Sequence, residues 1–193
     1  MAMINRRLNF VIPLERGGYV HAEPVDRSVY EEFFMLFGQV YSSVYAQGLG
    51  TLAGPKVAGL MLKRLAKISA INIDPLRRDM LHKCRAYLPD DKEGYKEYMI
   101  ENAVKEGVMD DEDMAQVEGF LAFFTALSFL ASVKERTALL AQTNGLHGTV
   151  STSLNSTEYT TSLVTLMRAA DTTKNQESLP PSSTTPQSTA SIQ

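Results

Sequence analysis

A chain of 193 residues with 44% hydrophobic and 21% charged side chains can build one real core but is too short for two large domains. A single cysteine, Cys84, excludes an intramolecular disulfide and any cysteine-rich metal centre, and no apolar leader pattern precedes Arg6-Arg7, so the expected compartment is the cytosol. The net charge of −3 is unevenly spread: residues 1–89 carry 12 Lys+Arg against 7 Asp+Glu, residues 90–193 carry 7 against 15, and such halves attract within a fold or between copies.

The chain begins with alternation. Leu8, Phe10, Ile12 and Leu14 fall on one side of an extended segment, Glu15-Arg-Gly-Gly18 is turn chemistry, and Tyr19-Val-His-Ala-Glu23 alternates again. This predicts a β-hairpin over 7–23, with its first strand at an edge because Pro13 has no N–H to donate. A lone hairpin is marginal in water, so it must pack on helices or pair with another chain.

Helical periodicity follows. Ser28 and Glu31 have capping-box spacing ahead of Val29, Phe33, Leu36, Phe37, Val40 and Val44, predicting a helix over 28–47. Gly54-Pro55 suits the start of a second over 55–69, with Lys56, Lys63, Arg64 and Lys67 mostly outside. Asp74-Pro75 opens a third over 75–87, a polar loop runs from Pro89 to Gly94, and a short helix is expected over 95–106. Thr157 is a candidate cap for a last helix over 158–170, and the Ser/Thr/Pro-rich remainder, 171–193, is expected to stay disordered. The predicted fold is mainly α: a single helical domain over 1–170 with an N-terminal β-hairpin and a disordered C-terminal tail.

The dominant stretch is Gly119–Val133, fifteen residues without a charge, preceded by Asp110, Asp111, Glu112 and Asp113 and followed by Lys134 and Arg136. That order matches the helix dipole, with Asp110 as N-cap and Asn144-Gly145 as stop, and predicts one helix over about 111–142. Fifteen residues at helical rise span about 22 Å, short of a hydrocarbon core. Val117, Phe120, Phe123, Phe124, Leu127 and Leu130 fill a broad face, and Phe129 and Val133 lie off it, so the helix is apolar nearly all round. Two readings stand: a central core helix, or a partner-binding rod whose contact residues are Phe120, Phe123, Phe124, Leu127, Phe129, Leu130 and Val133, with Phe129 the foremost. Gly119, Ala122 and Ala126 form a narrow stripe open to close helix approach.

Reactive chemistry finds little support. Gly48-Leu-Gly-Thr-Leu-Ala-Gly-Pro-Lys56 fails as a phosphate loop, since Pro55 removes a cradle N–H and Val57 stands where a hydroxyl is needed. His82 and Cys84 diverge on a helix, His21 and His147 lie far away in sequence, and no catalytic residue, metal ligand set or cofactor motif emerges. The 110–113 acidic run lacks calcium-loop spacing, and Arg77, Arg78, Lys83 and Arg85 without interleaved aromatics argue only weakly for nucleic acid.

Four stretches, Phe10–Leu14, Ala53–Lys63, Glu112–Phe124 and Ser156–Leu163, together resemble the tail assembly chaperones of long-tailed phages. The resemblance implies a non-enzymatic role in the host cytoplasm. Such chaperones coat the helix-rich tape measure protein, help bring tail tube protein to it, and leave before the tail is complete. Self-association and a frameshifted longer product are also compatible with the family; membrane and nucleic acid are not implied as partners. The alternative is a virion structural protein, a tail-completion or connector component, in which the same helix is ordinary core.

Overall fold

The computed structural model describes residues 8–90 and 94–164. The chain divides into two compact units, Met1–Ser156 and Thr157–Gln193. In the second, residues 157–164 are helical; the helix already runs from Ser156, so Thr157 lies within it rather than capping it, and 165–170 and the tail 171–193 lie outside the described residues. The fold is mainly α, with a larger sheet than the sequence led us to expect.

That sheet is five-stranded and antiparallel throughout. Strands β1 (Asn9–Pro13), β2 (Tyr19–Ala22), β3 (Cys84–Asp90), β4 (Gly94–Met99) and β5 (Val150–Thr152) run in the order β4-β3-β2-β1-β5. The hairpin is present, with Phe10 opposite Ala22 and Ile12 opposite Val20. Its first strand is interior rather than at an edge. Pro13 is nevertheless accommodated, because β5 pairs only with Asn9, Phe10 and Val11 and stops short of it.

Segments expected to be helical at 84–87 and 95–99 are strands instead. Cys84, Ala86 and Leu88 are buried among the core side chains, while Arg85 and Tyr87 alternate with them. Period two therefore overrides the helical pattern that Leu76, Met80 and Leu81 had set.

Seven helices complete the first unit: α1 (Arg27–Glu32), α2 (Phe34–Ala46), α3 (Gly50–Ile68), α4 (Asp74–His82), α5 (Ile100–Lys105), α6 (Asp111–Leu130) and α7 (Val133–His147). The predicted 28–47 helix breaks at Phe33, whose φ of −103° and ψ of 14° leave the helical region and whose ring is buried in the core. Ser28 forms no cap; it lies inside the first turn, and Glu31 pairs with Arg27 at 2.8 Å instead. The predicted 111–142 helix is two. Ala131 turns extended, and Ser132 starts α7 with a capping box to Glu135. That Ser-x-x-Glu signal stands in the sequence, hidden inside the apolar run. The stop is Gly148, at a left-handed φ of 66°, rather than Asn144-Gly145.

The centre of the fold is the crossing of α3 over α6. Gly59 and Gly119 face each other there, and a Cβ on Gly59 would lie 2.9 Å from the Gly119 amide nitrogen. Part of the small-residue stripe read from the sequence is thus used inside the chain, where it lets two backbones meet. Above the crossing Glu118 is buried and takes the Arg77 guanidinium at 3.1 and 2.5 Å, with the Lys63 ammonium on its other oxygen. A buried carboxylate is tolerable because both cations accompany it.

Asp110 caps α6 as anticipated, accepting from the Glu112 and Asp113 amides at 3.0 and 2.9 Å. Arg16, from the β1–β2 turn, grips the same corner through Asp110 and, at 2.7 Å, Asp113. Gln116 also donates to the Pro13 carbonyl at 3.1 Å, so hairpin and central helix are fixed together by polar contacts as well as by the Phe10–Phe124 ring stack at 4.3 Å.

Candidate partner-binding surface

The seven residues of the apolar helix proposed as contacts separate cleanly. Phe120, Phe123, Phe124 and Leu127 are sealed in the core, none more than 2% exposed. A partner could reach them only by opening the fold, and these four pack as core side chains. The physical cause is the fold's layering: the sheet through Phe10 and the helices α2 and α3 together cover every face of α6 along its middle. Helix α6 has the length and composition of a membrane span, with a mean hydropathy of 1.2, but 67% of that window is buried within the protein.

The last turn of α6 differs. Leu130 is half-buried, Val133 is 70% exposed at the start of α7, and Phe129 is 36% exposed. Phe129 does not project into solvent alone. Its ring stacks on Tyr30 of α1 with centroids 3.9 Å apart, and the edge of Phe34 meets the same tyrosine at 6.0 Å. Phe34 is itself 46% exposed. The three rings form an aromatic patch contributed by α1, α2 and α6. The periodic pattern of the sequence did not include Phe34; it begins α2 directly after the break at Phe33. The Tyr30 hydroxyl is buried with no hydrogen-bond partner among the described residues, and burial raises its pKa above the ordinary phenol value.

A second exposed apolar line runs along α3. Leu52, Lys56 and Leu60 fall four apart on an exposed stripe of α3, joined by Lys63, Arg64 and Lys67.

Most of the remaining sequence candidates are used internally, with Arg78 exposed. Within the Arg77, Arg78, Lys83 and Arg85 group, Arg77 is held by Glu118, Lys83 reaches Asp26 at 2.8 Å and Asp79 at 3.2 Å, and Arg85 bonds the His82 and Cys84 carbonyls. That leaves little free charge for a nucleic-acid backbone. Cys84 donates its thiol to the Met80 carbonyl, and burial pushes its pKa up to about 12. His21 is buried on the sheet face turned from the helices, against the Leu154 carbonyl at 3.1 Å, and burial lowers its pKa. Among the described residues no group of three His, Cys, Asp or Glu side chains is placed to hold a metal ion.

No family model, curated protein or solved structure matches the chain.

Proposed function

We propose that this protein is a phage tail assembly chaperone, a non-enzymatic factor that holds the hydrophobic helical tape measure protein in the host cytoplasm, assists addition of tail tube protein, and is absent from the finished particle. The resemblance in four stretches supports the reading, and one structural observation carries it further. Phe34 and Phe129, both partly exposed, pack on the buried ring of Tyr30 and form an aromatic patch at the surface. Apolar helical clients are taken by such surfaces through side chains at helical spacing, and aromatic rings supply large contact area at little entropic cost. Contact therefore runs through Phe129, Leu130 and Val133 with Phe34, while Phe120, Phe123, Phe124 and Leu127 hold the scaffold that presents them.

Co-expression with the tape measure protein tests this directly. The wild-type chain should co-purify with it and raise its solubility, and the Phe34→Ser/Phe129→Ser variant should fold but lose the complex. Failure of the wild-type chain to bind would refute the proposal. Finding the chain in purified particles by mass spectrometry would favour the structural virion role instead.

A further inference from the structure

The exposed side of α3 and the first turn of α6 adjoin at Lys56, which lines a cleft of about 310 Å³ together with Glu15, Glu112, Ala115 and Gln116. On one side of this boundary α3 carries four cations and no carboxylate from Gly50 to Ile68. Lys63 is tied to Glu118, but Lys56, Arg64 and Lys67 make no ion pair among the described residues. On the other side lie Asp110, Asp111, Glu112 and Asp113 with Glu15, balanced only by Arg16, and Glu15 and Glu112 likewise make no ion pair. Within the basic side Leu52 and Leu60 are 67% and 70% exposed, one on each side of Lys56 along α3.

We propose that two copies of this chain pair about a twofold axis through this face, the α3 stripe of each lying over the acidic corner of the other. A surface positive at one end and negative at the other, with leucines beside the boundary, is complementary to itself under twofold rotation. Within one chain only Lys56 of the stripe lines the acidic cleft, while Arg64 and Lys67 follow it two to three turns along α3. A second copy turns the two ends to face. Leu52 and Leu60 then lose water against the partner, and the cleft seats long cationic side chains from it. This pairing is independent of the chaperone reading, since it uses neither Phe34 nor Phe129.

Sedimentation equilibrium and light scattering on the full chain test it, with circular dichroism as a check on folding. At about 100 µM chain the wild type should be a dimer near 50 mM salt and dissociate measurably near 500 mM, where screening shortens to a few ångströms. Two variants, Lys56→Glu/Lys67→Glu and Glu15→Lys/Glu112→Lys, change only exposed side chains and should each be monomeric, their self-affinity reduced by about tenfold or more. Mixed in equal amounts they should form a heterodimer, one face now net negative and the other net positive. A merely structural role for these residues cannot produce that rescue. A monomeric wild type at low salt, dimers of both variants as tight as wild type, or two folded variants that fail to associate on mixing would each overturn the proposal.

Discussion

His147, at the end of α7, donates its Nε2–H to the Thr51 carbonyl in the first turn of α3 at 2.9 Å. The donor of the ordinary helical bond to that carbonyl would be residue 55, and residue 55 is proline. A side chain nearly a hundred positions away thus completes a helix that its own backbone cannot. The edge of the Phe120 ring, 5.3 Å away, holds the imidazole in place.

Removing that donor should therefore matter only while Pro55 is present. His147→Ala is expected to cost about 1–2 kcal/mol in urea unfolding. In a Pro55→Ala background, where a backbone N–H returns, the same change should cost distinctly less. Equal costs in both backgrounds would show that the imidazole contributes packing rather than the missing bond.

The α3–α6 crossing gives a second test. Gly59→Ala and Gly119→Ala each press a methyl group into the opposing backbone, and each should lower stability by at least about 1–3 kcal/mol. Gly145→Ala, within α7, meets open space and should instead stabilise by about 0.4–1 kcal/mol. Thermal denaturation of the three variants separates close approach from simple helix propensity.

Core and surface aromatics should divide in the same assay. Phe124→Ala empties a site stacked on Phe10 and should cost about 3–5 kcal/mol. Phe129→Ser removes a ring that is partly in water already and should cost far less, while lowering binding of a hydrophobic dye and of the helical client. A large loss of stability from Phe129→Ser would return that residue to the core.

His21 sets a pH dependence of definite sign. Burial lowers its pKa below the usual 6.5, so the unfolded chain takes up a proton that the folded chain resists. Stability should therefore rise with pH across this range and fall on acidification below about 6.5. His21→Gln should flatten the slope of melting temperature between pH 7 and pH 5. An unchanged slope would assign the acid sensitivity to other groups.

Cys84 offers a simple check on the sheet. With its pKa near 12 and its thiol donating to Met80, it should resist a thiol-specific reagent at pH 8 in the native protein and react fully once the chain unfolds.

The α6 core, its Asp110 cap and the Gly119 close approach were readable in advance, because periodicity, capping chemistry and small side chains act over a few residues. The strands at Cys84–Asp90 and Gly94–Met99 were not. Their short alternation follows a genuine helix without a clear boundary, and only pairing with Tyr19–Ala22 makes extension favourable. The same holds for the candidate surface. Phe129 was singled out because it lies off the main face, but its partner Phe34 depends on the break at Phe33, which no local signal announces.

What this sequence determined alone was a mainly helical chain with an N-terminal hairpin and one strongly apolar rod, since composition and spacing suffice for those. Which side of the rod meets protein and which meets solvent was decided by tertiary structure. Burial is a property of the neighbours: the sheet, α2 and α3 close over Phe120, Phe123, Phe124 and Leu127, and their reach ends one turn before Phe129.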